Sequence, residues 1–524
     1  MDDGRYDVIV IGSGLGGVSA AALLAKAGYH VLVLEQGDGL GGLAHAFERD
    51  GHTFDSAIRV LAEGEMVQAL LDYLGVGDQC ELLPIDHLYQ AELPGLSLRA
   101  PVGLDDFMAA HIKLFPREER GIRTFFQLRR QMFLEAAQVP MRLAGPAAID
   151  EASRLFPTLM RYRTATLADV MDEHLQDPSL KALCAALWPY LGTPPSRLSF
   201  FAYSQFIGVL IDGPFYCRGS FQRLVDAFVI AVRRGGGDVR TGLAADRILV
   251  EDGCARGVRT SDGSVFRADL VISNADARQT FEDLVGVENL PAAYTKRLQR
   301  MRPSMSACVV YAATTQDVLQ FGPAHETFKY GHLDHEETWR DIMAGRPGGM
   351  SLSIMTMLDP GLAPPGEHLL IATAVAPYSI ADGTPWWEHK DRFADALLGE
   401  FETTIPGLRD HLTFVQTGTP LTIERFTRNH RGATYGWELT PHQIGSKRLA
   451  HQTPVSGLLL SGHWTEEGPA SFRVILSGTN TASLALRLLG SDCELPSFKP
   501  DDIPQLAMSG SAPQAHQTQK GTQS

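Results

Sequence analysis

The stretch DVIVIGSGLGGVSAAALLAKAGYHVLVLEQ, residues 7–36, decides the fold. Residues 8–11 are an apolar, β-branched run suited to a strand buried on both faces, and they lead directly into Gly12, Gly14 and Gly17 in G-x-G-x-x-G spacing. The Ala- and Leu-rich residues 20–27 predict a helix that begins at this glycine loop, where free N–H groups and the helix dipole attract a pyrophosphate. Gly12 permits the tight turn, Gly14 lets the backbone approach the phosphates, and Gly17 lets the helix pack closely on the strand. A second strand at residues 31–34 ends in Glu35, placed to accept hydrogen bonds from a ribose diol and to repel a 2′-phosphate. The loop therefore favours FAD or NAD over NADP.

The chain continues EQGDGLGGLAHAFERDGHTFDSA, with a second glycine pair, Gly41 and Gly42, where it doubles back under a dinucleotide, and GHTFD at residues 51–55. This pattern resembles the flavin amine oxidase and phytoene desaturase superfamily. The resemblance implies an extended, buried FAD as a prosthetic group, held by Gly12, Gly14, Leu15, Gly16 and Gly17, by Glu35 and Gln36, and by Gly42 and Leu43. Two positions depart from the pattern: Leu43 stands where relatives often carry a basic residue, and Ala57 replaces a frequent glycine.

Two later blocks extend the resemblance. Residues 221–234 carry a 3.6-residue apolar stripe stopped by three glycines, followed by short strands at 239–241, 247–251, 255–260, 265–267 and 270–273. The match puts Ala245 beside the adenine and Asn274 in the loop that closes the sheet. Near the C-terminus, VSGLLLSGHWTEEGPASFRVILSGTNTASLALRLLG reads as a buried strand at 458–460, a turn, and a long helix at 472–489. There the resemblance implies FAD contacts at Gly462 and His463, and backbone N–H groups of Ala470, Ser471 and Phe472 facing the pyrimidine edge of the flavin.

The expected fold class is α/β: a Rossmann-like FAD-binding domain of the amine-oxidase type, assembled from residues 1–100, 215–290 and 451–494, with a mixed α+β substrate domain from 101–214 and 291–450. Residues 495–524 are polar and Ser/Gln-rich and read as a disordered tail. The motifs DPGLAPPG, GATYGWE and GLLLSGHWT narrow the resemblance to phytoene desaturases, carotenoid isomerases and retinol saturases. That branch implies an FAD-dependent oxidoreductase acting on carbon–carbon bonds of a long apolar polyene, isoprenoid or acyl chain, with an unidentified electron acceptor or donor. An amine oxidase-type dehydrogenase of a smaller substrate and a non-catalytic prenyl-binding escort share the fold and are the alternatives.

Flavin chemistry asks little of acid–base side chains, so catalytic residues are hard to find in the sequence. Tyr435 and Glu438 in YGWE are candidates; packing is the competing role for the aromatic residues. Arg473 is the third candidate, a cation in the first helical turn. It either points outward to a surface carboxylate or faces the substrate channel and binds an anionic group. HLDHEE at 332–337 reads as solvated surface, and no metal is expected.

A formal net charge of −15 without a basic patch argues against nucleic acid. Six scattered cysteines without a C-x-x-C pair suit a reducing compartment. With no apolar run of the ~18 residues a spanning helix requires, the expectation is a cytoplasmic protein with peripheral membrane contact through residues 101–214.

Overall fold

The computed structural model describes residues 4–138 and 145–495; the expected tail at 496–524 lies outside the described residues. Two seven-stranded sheets organise the chain. In the first, Arg5–Ile11 lies between Val31–Leu34 and Val265–Ser273, all parallel, with Leu458–Leu460 parallel to the far end of Val265–Ser273. Asp238–Arg240 extends one edge in parallel, and the antiparallel strands Cys254–Thr260 and Ala245–Glu251 extend the other. Residues 265–267 and 270–273, expected as separate strands, form one continuous strand, because its first half pairs with Cys254–Thr260 and its second half with Leu458–Leu460.

The period of two explains the burial of this sheet. Val8 and Val10 face the helices Leu15–Lys26, Gln222–Arg234 and Ser471–Leu488, while Ile9 and Ile11 face a core that includes Phe281, Trp437 and Trp464. Both faces are covered, which is why the strand reads as an unbroken apolar run.

The second sheet runs Leu412–Gly418, Ser306–Thr314, His368–Ala376, Met350–Ser353, Glu326–Lys329, His87–Leu93, Leu96–Pro101. Residues 87–100 were expected in the FAD-binding part, but they pair here, so the chain crosses to the second sheet before His87 and not at residue 100. Alternation again sorts the side chains: Cys308, Val310 and Ala312 pack with Leu397 and Phe401 of the helix Trp386–Glu402, while Ala307, Val309 and Tyr311 line a cavity. The described residues of 101–214 are largely helical, and the helix Phe200–Leu210 forms the opposite wall through Phe206, Val209 and Leu210.

Within HLDHEE, expected as solvated surface, His335 is the one residue that is buried. Asp334 caps the helix His335–Met343, and His335 is buried, accepting from Trp188 Nε1 at 3.1 Å and donating to the Ala182 carbonyl at 2.8 Å. Burial lowers its pKa to about 4, so it is a neutral structural residue.

Candidate active site

The glycine loop is held open by its neighbours. Gly12 has φ +93°, a conformation that disfavours side chains, and its N–H donates to the Leu34 carbonyl at 2.8 Å. Ser13 donates to one oxygen of Glu35 through its N–H (3.0 Å) and its hydroxyl (2.6 Å), and Gly37 N–H donates to the other at 2.9 Å. A carboxylate has about four acceptor positions. Three are used, and Glu35, which lines the cavity, retains capacity for a ligand hydroxyl.

Asn274 explains why so many glycines meet here. A Cβ on Gly14 would lie 2.6 Å from its Nδ2; on Gly16 and Gly462 a Cβ would lie 2.8 and 2.4 Å from its Oδ1. The amide therefore fills the space that side chains on both glycine blocks would need. Ser461 Oγ donates to the Gly16 carbonyl at 2.8 Å, and Gly462 N–H donates to Ser477 Oγ at 2.8 Å. Gly478 completes the joint, because a Cβ there would lie 2.0 Å from Ser19 Oγ and 2.6 Å from the Gly16 carbonyl oxygen. The first and last blocks of the chain thus form one cradle.

One cavity of about 1010 Å³ runs from this cradle into a chamber under the second sheet. Of the expected cofactor positions, Gly12, Gly14, Leu15, Gly16, Glu35, Gln36, Gly42, Leu43, Ala245, Asn274, Gly462, His463, Ala470 and Ser471 line it. Gly17 is packed behind the loop, where a Cβ would lie 2.2 Å from the Gly12 carbonyl oxygen. Phe472 turns its side chain into the core. Ala470 has φ +102°, a strained value for a residue with a Cβ, at the start of the helix Ser471–Leu488. Burial, aided by the Arg448 charge, lowers the His463 pKa to about 3, so its ring is neutral.

The catalytic candidates separate. Tyr435 lines the chamber, with its hydroxyl donating to the Pro189 carbonyl at 3.0 Å and burial raising its pKa to about 12. Glu438 pairs with Arg197 away from the cavity lining. Neither orientation expected for Arg473 is found: it is outside the lining, and its Nε donates to the Glu467 backbone carbonyl, beside the buried Glu467 carboxylate. The first helical turn directs residue 473 toward the layer containing Arg448 and Glu467, while Ser471 and Val474 take the cavity side.

Arg59 was missed by sequence reasoning. It lines the chamber, is 7% exposed, and donates from Nη2 to Thr373 Oγ1 at 3.1 Å. Its one signal in the sequence is a lone cation in the apolar run after Phe54-Asp55.

Residues 15–486 match the family described as flavin containing amine oxidoreductase. The chain belongs to that family. Like the family, it is an FAD-dependent oxidoreductase, and the cradle above fits the cofactor: an open glycine loop at a helix start, a ribose-side carboxylate, and a second glycine block that admits close approach. It is 29% identical over 520 residues to prolycopene isomerase 1, chloroplastic, of an Oncidium hybrid cultivar, covering 94% of this chain and 86% of that protein. It is 26% identical over 505 residues to the all-trans-retinol 13,14-reductase of Rattus norvegicus, covering 87% and 82%. Cyclohexylamine oxidase from Brevibacterium oxydans IH-35A shares the fold, with a TM-score of 0.63 at 17% identity over 93% of this chain and 99% of that one. Among the described residues, no helix is long and apolar enough to cross a membrane.

Proposed function

We propose that this FAD-dependent oxidoreductase desaturates, saturates or isomerises carbon–carbon bonds of a long apolar chain, a polyene, isoprenoid or acyl lipid. The observation that carries the reading is the continuity of the cofactor cradle with a deep chamber walled by Phe206, Val209, Leu210, Phe328 and Val375. A long apolar chain is stabilised there by about 25 cal/mol per Å² of apolar surface removed from water. The relatives named for prolycopene and all-trans-retinol support the same substrate class.

Bound FAD supplies hydride-transfer chemistry at its flavin ring. The chain's own residues position and shield. Ala470 and Ser471 begin a helix whose N-terminal dipole favours negative charge beside it. The neutral His463 adds no formal charge. Tyr435, with its hydroxyl already committed to Pro189, acts as a wall and not as an acid. Anaerobic single turnover followed by mass spectrometry distinguishes the reactions. A change of two hydrogens identifies desaturation or saturation, an unchanged mass with altered retention identifies isomerisation, and no conversion of any polyene or acyl lipid contradicts the proposal.

The substrate's lipophilicity also calls for peripheral membrane contact. Helices Leu104–Leu114 and Glu119–Gln138 expose Leu114 and Leu134, and Leu155 is 52% exposed in the same segment. The protein is expected to float with liposomes in a density gradient, and charged replacements at these three leucines should reduce the floating fraction several-fold. Protein that stays at the bottom of the gradient with lipid and substrate present contradicts this contact.

A further inference from the structure

Arg59 is a buried cation in the wall of an otherwise largely apolar and aromatic chamber. Its Nε and Nη1 have no hydrogen-bond partner, and Thr373 engages only Nη2. Of the arginines lining the cavity, Arg49 and Arg428 are exposed at the surface and Arg59 alone is buried among the described residues. Burial disfavours its charge, but the acidic groups around it, Glu326 first and Asp55 among them, outweigh burial and raise its pKa, so it stays a guanidinium. The nearby carboxylates do not cover its donors. Asp55 accepts from Tyr216 at 2.6 Å and from Phe221 N–H at 2.8 Å, and Glu326 accepts from Ser353. Glu326 Oε1 is also unpartnered, but Glu326 lies outside the cavity lining, so it balances the charge without closing the front of Arg59.

A buried guanidinium with free N–H groups is costly unless a ligand completes it. Hydrocarbon leaves those donors unsatisfied, and a hydroxyl satisfies only part of them. A carboxylate accepts two charge-assisted bonds from a planar guanidinium fork. We propose, building on the reading of the chamber as the lipid-substrate site, that Arg59 anchors the carboxylate of an acyl-type substrate whose apolar chain fills the chamber. Arg59 then fixes how far the chain enters, and hence which carbon–carbon bond is presented to the cofactor.

The test uses FAD-loaded full-length protein titrated with oleate, oleyl alcohol and 1-octadecene below their aggregation limits, with binding followed by tryptophan fluorescence and flavin absorbance. Oleate is expected to bind roughly 10- to 100-fold more tightly than the alcohol or the alkene, the range of a charge-assisted hydrogen-bonded contact. Arg59→Met should remove that preference while leaving alkene binding and FAD content unchanged. Arg59→Lys, which keeps the charge without the fork, should retain part of it and serves if the methionine variant folds poorly. Equal binding of all three ligands to the unaltered protein, or an oleate preference that survives Arg59→Met, overturns the assignment of Arg59 while leaving the lipid chamber intact. Binding of none of the three overturns the chamber reading and the anchor with it.

Discussion

Gly17→Ala is expected to give a folded protein that loses most of its FAD, whereas Gly14→Ala keeps most of it. The two glycines belong to the same fingerprint, but their surroundings differ. A Cβ on Gly17 would lie 2.2 Å from the Gly12 carbonyl oxygen, a backbone atom of the loop itself, so the loop must open to admit it. A Cβ on Gly14 would meet Asn274 Nδ2 at 2.6 Å, the far end of a side chain that can turn, and Gly14 has an ordinary φ of −59°. Overpacking of this kind costs about 1–3 kcal/mol. In Gly17→Ala that cost falls on the turn expected to receive the pyrophosphate, which corresponds to a roughly 10- to 100-fold weaker affinity for FAD. The flavin-to-protein absorbance ratio after desalting reads this directly. Equal FAD retention in the two variants contradicts it.

Glu467→Gln is expected to lower stability by about 3–5 kcal/mol, the usual cost of removing one partner from a buried ion pair, and to loosen the cofactor cradle. Glu467 is 4% exposed and accepts from His451 Nε2, Asn480 Nδ2 and Thr465 Oγ1, each at 2.8 Å. Burial alone raises its pKa, but the His451 charge and these three hydrogen bonds outweigh burial and lower it to about 2. Burial likewise opposes the charge on His451, and Glu467 reverses this, raising its pKa above the usual value of 6.5. The signs fix the pH dependence. A depressed carboxylate pKa stabilises the fold above pH 4.5 and loses that contribution as pH falls toward about 2; the raised histidine pKa stabilises below pH 6.5 and loses it as pH rises through the folded value. Thermal unfolding between pH 2 and 8 should show both limbs in the unaltered protein and neither in Glu467→Gln. A variant with the same profile as the parent contradicts the pair's role. The consequence for the site follows from Thr465, whose single hydroxyl proton is shared between Glu467 and the Gly462 carbonyl, 2.7 Å away, and so ties the pair to the second glycine block.

The sequence made the parallel centre of the first sheet legible because residues 8–11, 31–34, 270–273 and 458–460 are doubly buried and glycines follow the first of them. Residues 31–34 and 458–460 coincide with the observed strands, and the helix expected at 221–234 begins one residue later, at Gln222. That the hairpin at 87–101 belongs to the second sheet was less legible, since His87–Leu93 joins that sheet only through Glu326–Lys329, more than two hundred residues away, and such pairing leaves no local mark. Arg473 shows the same limit: its position in a motif marks it as unusual, but the rotation of one helical turn sends it to Glu467 and not to the cavity.

By itself, the sequence determined the nucleotide-binding strand–loop–helix, the acidic residue after the second strand, and the matching C-terminal block. Each is a local pattern in which backbone conformation restricts residue type, as the positive φ of Gly12 and Gly462 does. Only the tertiary structure decided that Asn274 is the common partner of the two glycine blocks, that Glu438 and Arg473 stand outside the cavity, and that Arg59 stands inside it with open donors. These depend on side chains from distant segments converging on one space. Such convergence is set by packing and by the satisfaction of buried polar groups, neither of which is written in the spacing of neighbours along the chain.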